Sequence, residues 1–242
     1  MEIKKVFLAL VDISGYTQFI KLHKVSLLHA EEIISDLLNE VLIHAKLPLV
    51  AHDLEGDAIF FYAESDGSSE MARAVYEQIQ LFHEVFQARE QQLISNCSIC
   101  ICQACQEIGE LKLKSILHHG EAAFSQVQQF KKLAGEDVIL AHRLLKNSVP
   151  SKEYVMMSSA FHELCGDVAA AVSEDRCEEC EGLGKVDVRV FYPEMPEVLS
   201  LLPKASLAKR LFTWINMNVL VLKRLWRKKE RSLQNLESTL NS

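Results

Sequence analysis

No stretch of this sequence stays apolar long enough to cross a bilayer. The uncharged, apolar run LFTWINMNVLVL at 211–222 is too short and carries Asn216 and Asn218. A secretory leader is not expected either: Lys4 and Lys5 precede an apolar stretch, but Asp12 ends it too early for the hydrophobic part of a signal peptide. The seven cysteines, an odd number, fit a reducing compartment better than a disulfide framework. Basic surface is scarce over most of the chain. The net charge of −7 divides into about +7 from Lys204 onward and about −14 before it, and so acidic a body excludes broad nucleic-acid binding. No internal repeat is present. These absences predict a cytoplasmic protein.

What is there suits a sizeable core. Of 242 residues, 49% are hydrophobic and 24% charged. Pro193, Pro196 and Pro203 set off a tail, which gives a domain over 1–195 followed by a basic tail over 196–242. Within the domain, KKVFLALVD reads as a buried strand, short and continuously apolar. Residues 14–45 carry Phe19, Leu22, Leu27, Ile33, Leu37 and Val41 at helical spacing, which predicts a helix, a break and a longer helix ending before Pro48. Gly56 and Asp57 read as the turn of a hairpin over 47–64, and a helix follows over about 70–94. Strand alternation marks 110–120, then come a helix over 135–149, the strand KEYVMMSS, a short helix at SAFHELCG and a terminal hairpin. That order predicts an α+β sandwich on a ferredoxin-like βαββαβ core, with helices on one face of a largely antiparallel sheet.

In such a sheet the first strand lies beside the early hairpin, so Asp12 and Asp57 meet. Two carboxylates have little reason to be neighbours unless a cation sits between them, and two oxygen donors suit Mg²⁺ or Mn²⁺. The segment Ser14-Gly15-Tyr16-Thr17 opens a helix, and free N–H groups there suit phosphate oxygens. A plainer reading stands beside this one: Asp12 or Ser14 caps the helix and Asp57 serves a tight turn.

Four motifs in order carry a resemblance: VFLALVDISGYTQFI, LEGDAIFFYAE, LKLKSILHHGEA and LAGEDVILAHRLLKNSV. Together they resemble the catalytic domain of class III nucleotidyl (adenylate/guanylate) cyclases, in a divergent branch, over about residues 5–192. The resemblance implies the cyclase-type fold with a C-terminal hairpin extension. It makes Asp12 and Asp57 metal ligands, with the Ile13 carbonyl a third. It assigns Ser14, Gly15, Tyr16 and Thr17 to phosphates, and Arg143 to charge stabilisation at phosphorus. It also implies a purine nucleoside triphosphate as ligand, a cyclic 3′,5′-nucleotide as product, and a head-to-tail homodimer in which Arg143 comes from the second copy. Three positions depart from the pattern. Ile139 stands where the family has an Asn, and Ile cannot hydrogen-bond. Asp53 and Lys132 stand at the base-recognition positions, where they suit guanine better than adenine or form a plain exposed ion pair. Binding is thus better supported than turnover, and a catalytically inactive nucleotide-binding or regulatory module is the alternative.

Two further features remain. Cys100, Cys102 and Cys105, with Cys177 and Cys180, have spacings that let thiolates close on a structural Zn²⁺; buried free thiols are the other reading. A zinc-stabilised scaffold follows from the first. The tail holds both tryptophans beside basic residues. That suits a helix lying on an anionic inner-membrane surface or, the reading favoured, one packed on the acidic body or a second copy.

Overall fold

The computed structural model describes residues 2–22, 27–97, 103–168 and 172–192. Strand β1 (Glu2–Ser14) pairs with antiparallel neighbours along both edges, and helices cover both its faces. That is why it reads as an unbroken apolar run: every residue from Val6 to Val11 is at most 1% exposed. Helices α1 (Tyr16–Leu22) and α2 (Leu27–His44) follow, then the hairpin of β2 (Val50–Glu55) and β3 (Ala58–Glu64). After α3 (Ser69–Cys97) come α4 (Gln103–Gln106), a 3-10 turn at Ile108–Glu110, β4 (Lys112–Val127), β5 (Phe130–Ala134) and α5 (Glu136–Leu144). The domain ends with β6 (Tyr154–Ser158), α6 (Ser159–Cys165), β7 (Val172–Cys180) and β8 (Gly184–Tyr192).

The sheet has eight strands in the order β2-β3-β1-β4-β6-β8-β7, with β5 paired to the distal end of β4. Among the described strands only β4 and β6 pair in parallel, and a parallel pair needs a crossover, which α5 supplies. Odd residues of β1 (Phe7, Ala9, Val11, Ile13) pack with α1, α2, α3 and α6. Even residues (Val6, Leu8, Leu10) pack with Val138, Ala141 and Leu144 of α5. Helices therefore cover both faces, not one. The apolar stripe of α5, spaced three residues apart, needs a surface to bury against, and the even face supplies it.

Among the described residues, no helix is long and apolar enough to cross a membrane. Most predicted elements are present. β5 was not anticipated, and β4 runs seven residues past the predicted end at Gly120, as a two-stranded arm with β5. The tail and its membrane or packing roles lie outside the described residues.

Candidate functional site

Asp12 is an even residue of β1 and so faces the α5 side, opposite the helical layer holding Ile13. On one side its partner in register is Ala58, the residue after Asp57; on the other it is Lys114. The Ile13 N–H donates to the Asp57 carbonyl at 3.1 Å, which pins the hairpin turn to the end of β1. In an extended strand the Ile13 carbonyl leaves on that same side. The pairing thus sets Asp12 and Asp57 together at the end of β1. Burial, then the Asp12 charge, push Asp57 up to about 6, and Lys114 opposes the rise.

The Lys114 ammonium lies 3.0 Å from Asp12 Oδ2 and donates to the Leu145 carbonyl at 3.2 Å. The sequence reading missed this lysine. Its alternation with Leu113 was visible, but which residue it faces depends on the β1–β4 register.

The segment from Ser14 to Thr17 opens α1. Gly15 has φ +93°, and a Cβ there would sit 3.1 Å from the Glu110 carbonyl, so glycine is required. The Phe19 N–H bonds the Gly15 carbonyl at 2.9 Å, closing the first turn. Tyr16 donates its hydroxyl to Glu31 at 3.2 Å. On one flank, Gly15 and Phe19 border a 310 Å³ groove that also holds Glu107, Glu110 and Lys152, with Lys152 paired to Glu110 at 2.8 Å. Two acids there disfavour an anion on that flank.

Arg143 sits on the outer side of α5 and pairs with Glu181 of the β7–β8 turn at 2.7 Å. Within one chain, no hydrogen bond or ion pair joins it to Asp12 or Asp57. Ile139, one turn earlier, is half exposed. Asp53 lies just past a register shift in β2, where its Oδ1 accepts from the Leu54 N–H at 2.8 Å. Asp53 and Glu55 favour the charged form of His142, which packs on Phe60, but burial outweighs them and lowers its pKa. Lys132, on β5, is exposed, and no ion pair joins it to Asp53.

Among the described cysteines, the structure does not bring Cys105 to Cys180: they lie in the cores on opposite faces of the sheet. Cys105 is buried in the helical layer beside His29, with Sγ 3.5 Å from Nε2. Cys177 is exposed within β7, and Cys180 is buried on the α5 face. Cys100 and Cys102 lie outside the described residues. Among those described, no group of three or more His, Cys, Asp or Glu side chains is placed to hold a metal.

A second polar chain also escaped the sequence. Ser158 Oγ lies 2.7 Å from His118 Nδ1, and His118 Nε2 lies 3.0 Å from Asp137 Oδ1. The order mimics a hydrolytic triad, but Ser158 and His118 are 2% and 4% exposed, and the hydroxyl accepts from the Phe161 N–H as the cap of α6. It is a structural brace.

Comparison with known proteins bears on this geometry. Residues 34–154 match the family described as "Protein of unknown function (DUF2652)". The "Uncharacterized protein Rv2561/Rv2562" of Mycobacterium tuberculosis is 33% identical over 152 residues, 63% of this chain and 69% of that protein. Among solved structures, the adenylyl cyclase CyaB from P. aeruginosa aligns with a TM-score of 0.60 at 17% identity, covering 81% of this chain and 97% of its own. The guanylyl cyclase Cya2 aligns at 0.56 and 14% identity, covering 84% and 98%. Identities this low show a shared fold and no more. By sequence this chain belongs to the DUF2652 family, and it is built on the fold of adenylyl and guanylyl cyclase domains.

Proposed function

We propose that this protein binds a purine nucleoside triphosphate with Mg²⁺ or Mn²⁺ at the Asp12–Asp57 pair, as a divergent nucleotidyl cyclase-like protein in which cyclisation is impaired. The observation that carries this reading is the meeting of Asp12 and Asp57 at the end of β1, where the Ile13 N–H holds the hairpin turn and the Asp12 charge bears on Asp57. With both ionised, Asp12, Asp57 and Lys114 sum to one negative charge, which leaves the pair short of compensation. A hard divalent ion fits that donor set, with the Ile13 carbonyl as a further oxygen ligand. When bound, such an ion supplies charge stabilisation to phosphate oxygens. The site would then carry a net positive charge and attract an anion.

Turnover needs more. Attack of a 3′-hydroxyl on the α-phosphorus calls for a group that orients the ribose, and Ile139 has no polar atom. Arg143 meets its expected role only if a second copy delivers it. Cyclisation is therefore absent or slow, and the protein acts as a nucleotide-binding or regulatory module.

Thermal melting with each of the four nucleoside triphosphates and Mn²⁺, alongside chromatography for cyclic product, tests both parts. A rise in melting temperature with ATP or GTP, lost in Asp12→Ala, with little or no product, is the expected result. No rise with any triphosphate would end the binding proposal. Rapid formation of a cyclic nucleotide would make the protein an enzyme despite Ile139.

A further inference from the structure

We propose that Lys114 is the resident cation of this site and sets how weakly a divalent ion binds there on its own. The inference rests on the metal reading of the Asp12–Asp57 pair. Lys114 is not a wandering surface lysine: its side chain is 19% exposed and that of Asp12 is 15%. Two anchors hold the ammonium, Asp12 Oδ2 at 3.0 Å and the Leu145 carbonyl at 3.2 Å. The second lies just past α5, where helix carbonyls lack intrahelical partners and the helix end is negative. The strand pairing Asp12↔Lys114 sets the two residues opposite each other, so the contact is built into the sheet.

An ion ligating Asp12 either displaces Lys114 from Oδ2 or binds through Oδ1 with a positive charge a few ångströms away. Either way the affinity of the bare ion falls. Neighbouring cations are committed elsewhere: Lys112 to Glu90 at 2.7 Å, Lys152 to Glu110 at 2.8 Å, and Arg143 to Glu181 at 2.7 Å. The suppression therefore belongs to Lys114.

The test is a titration of the full chain with Mn²⁺ alone, without nucleotide, read by the loss of the free-ion paramagnetic resonance signal. Lys114→Met keeps the length of the stem and removes the charge, and it should bind Mn²⁺ on the order of tenfold more tightly than wild type. Lys114→Arg should behave as wild type. Adding Asp12→Asn to Lys114→Met should abolish the gain. Should Lys114→Met fail to fold, Lys114→Gln, which keeps a donor for the Leu145 carbonyl, carries the same expectation. Equal affinity in wild type and the neutral variants would overturn the role of Lys114 and leave the metal site standing. Absence of Mn²⁺ binding in every variant would overturn the metal site itself.

Discussion

Burial and the Asp12 charge lift the Asp57 carboxyl to about 6, above the 3.8 of an ordinary aspartate. The native state thus holds a proton that the unfolded chain has already released between about pH 4 and pH 6. More protons bound in the native state means that stability falls as pH rises through that window, with the loss complete above it. The shift is worth about 2 kcal/mol once partial exposure is discounted. Asp57→Asn should lack this component and be the more stable protein at pH 7.5 without divalent ions. Urea denaturation of both proteins at pH 4.5 and 7.5 measures it, and an unchanged difference between them would refute the assignment. The aspartate pair was legible in the sequence because a strand end and a Gly-Asp turn are local signals that topology joins. Lys114 was not, because nothing local says that it lies opposite Asp12.

Among elements, β4 and α5 meet closely at Gly120. A Cβ on Gly120 would lie 2.2 Å from the Asp137 carboxylate, closer than any real contact allows. Asp137 is not free to move aside: it accepts from the Glu121 N–H at 2.6 Å and holds His118, which reaches Ser158 and the cap of α6. Gly120→Ala should therefore cost about 2–3 kcal/mol, by pushing apart a brace that joins two strands and two helices. Combined with Asp137→Ala, the cost should be less than the sum of the two single changes. Chemical denaturation of the four proteins gives that cycle, and simple additivity would show that the brace is not what glycine protects. The sequence revealed α5 through its apolar spacing but hid β5, since FKKLA exposes its first three residues and shows no alternation. A strand that pairs only with an arm has no buried face to write into its residues.

For the whole molecule, the exposed apolar residues suggest what single-chain packing leaves undone. Val127 and Phe130 at the tip of the arm are 60% and 64% exposed, and Ile139 on α5 is 53% exposed. Large apolar groups left open on the arm and on α5 suit a second copy of the chain. Sedimentation equilibrium should show a dimer. Phe130→Ser combined with Ile139→Ser should weaken it at least tenfold while leaving the melting temperature of dilute protein nearly unchanged. A wild-type chain that stays monomeric at high concentration would remove both the dimer and the route by which Arg143 reaches a nucleotide.

The sixteen residues of β4 give this arrangement a mechanical consequence. Between Lys114 and the tip at Val127 the strand spans roughly 40 Å, and β1 grips it as far as Phe124. A rod held along most of its length bends only beyond the grip. A load on the tip is taken up past Phe124, and the ammonium keeps its place.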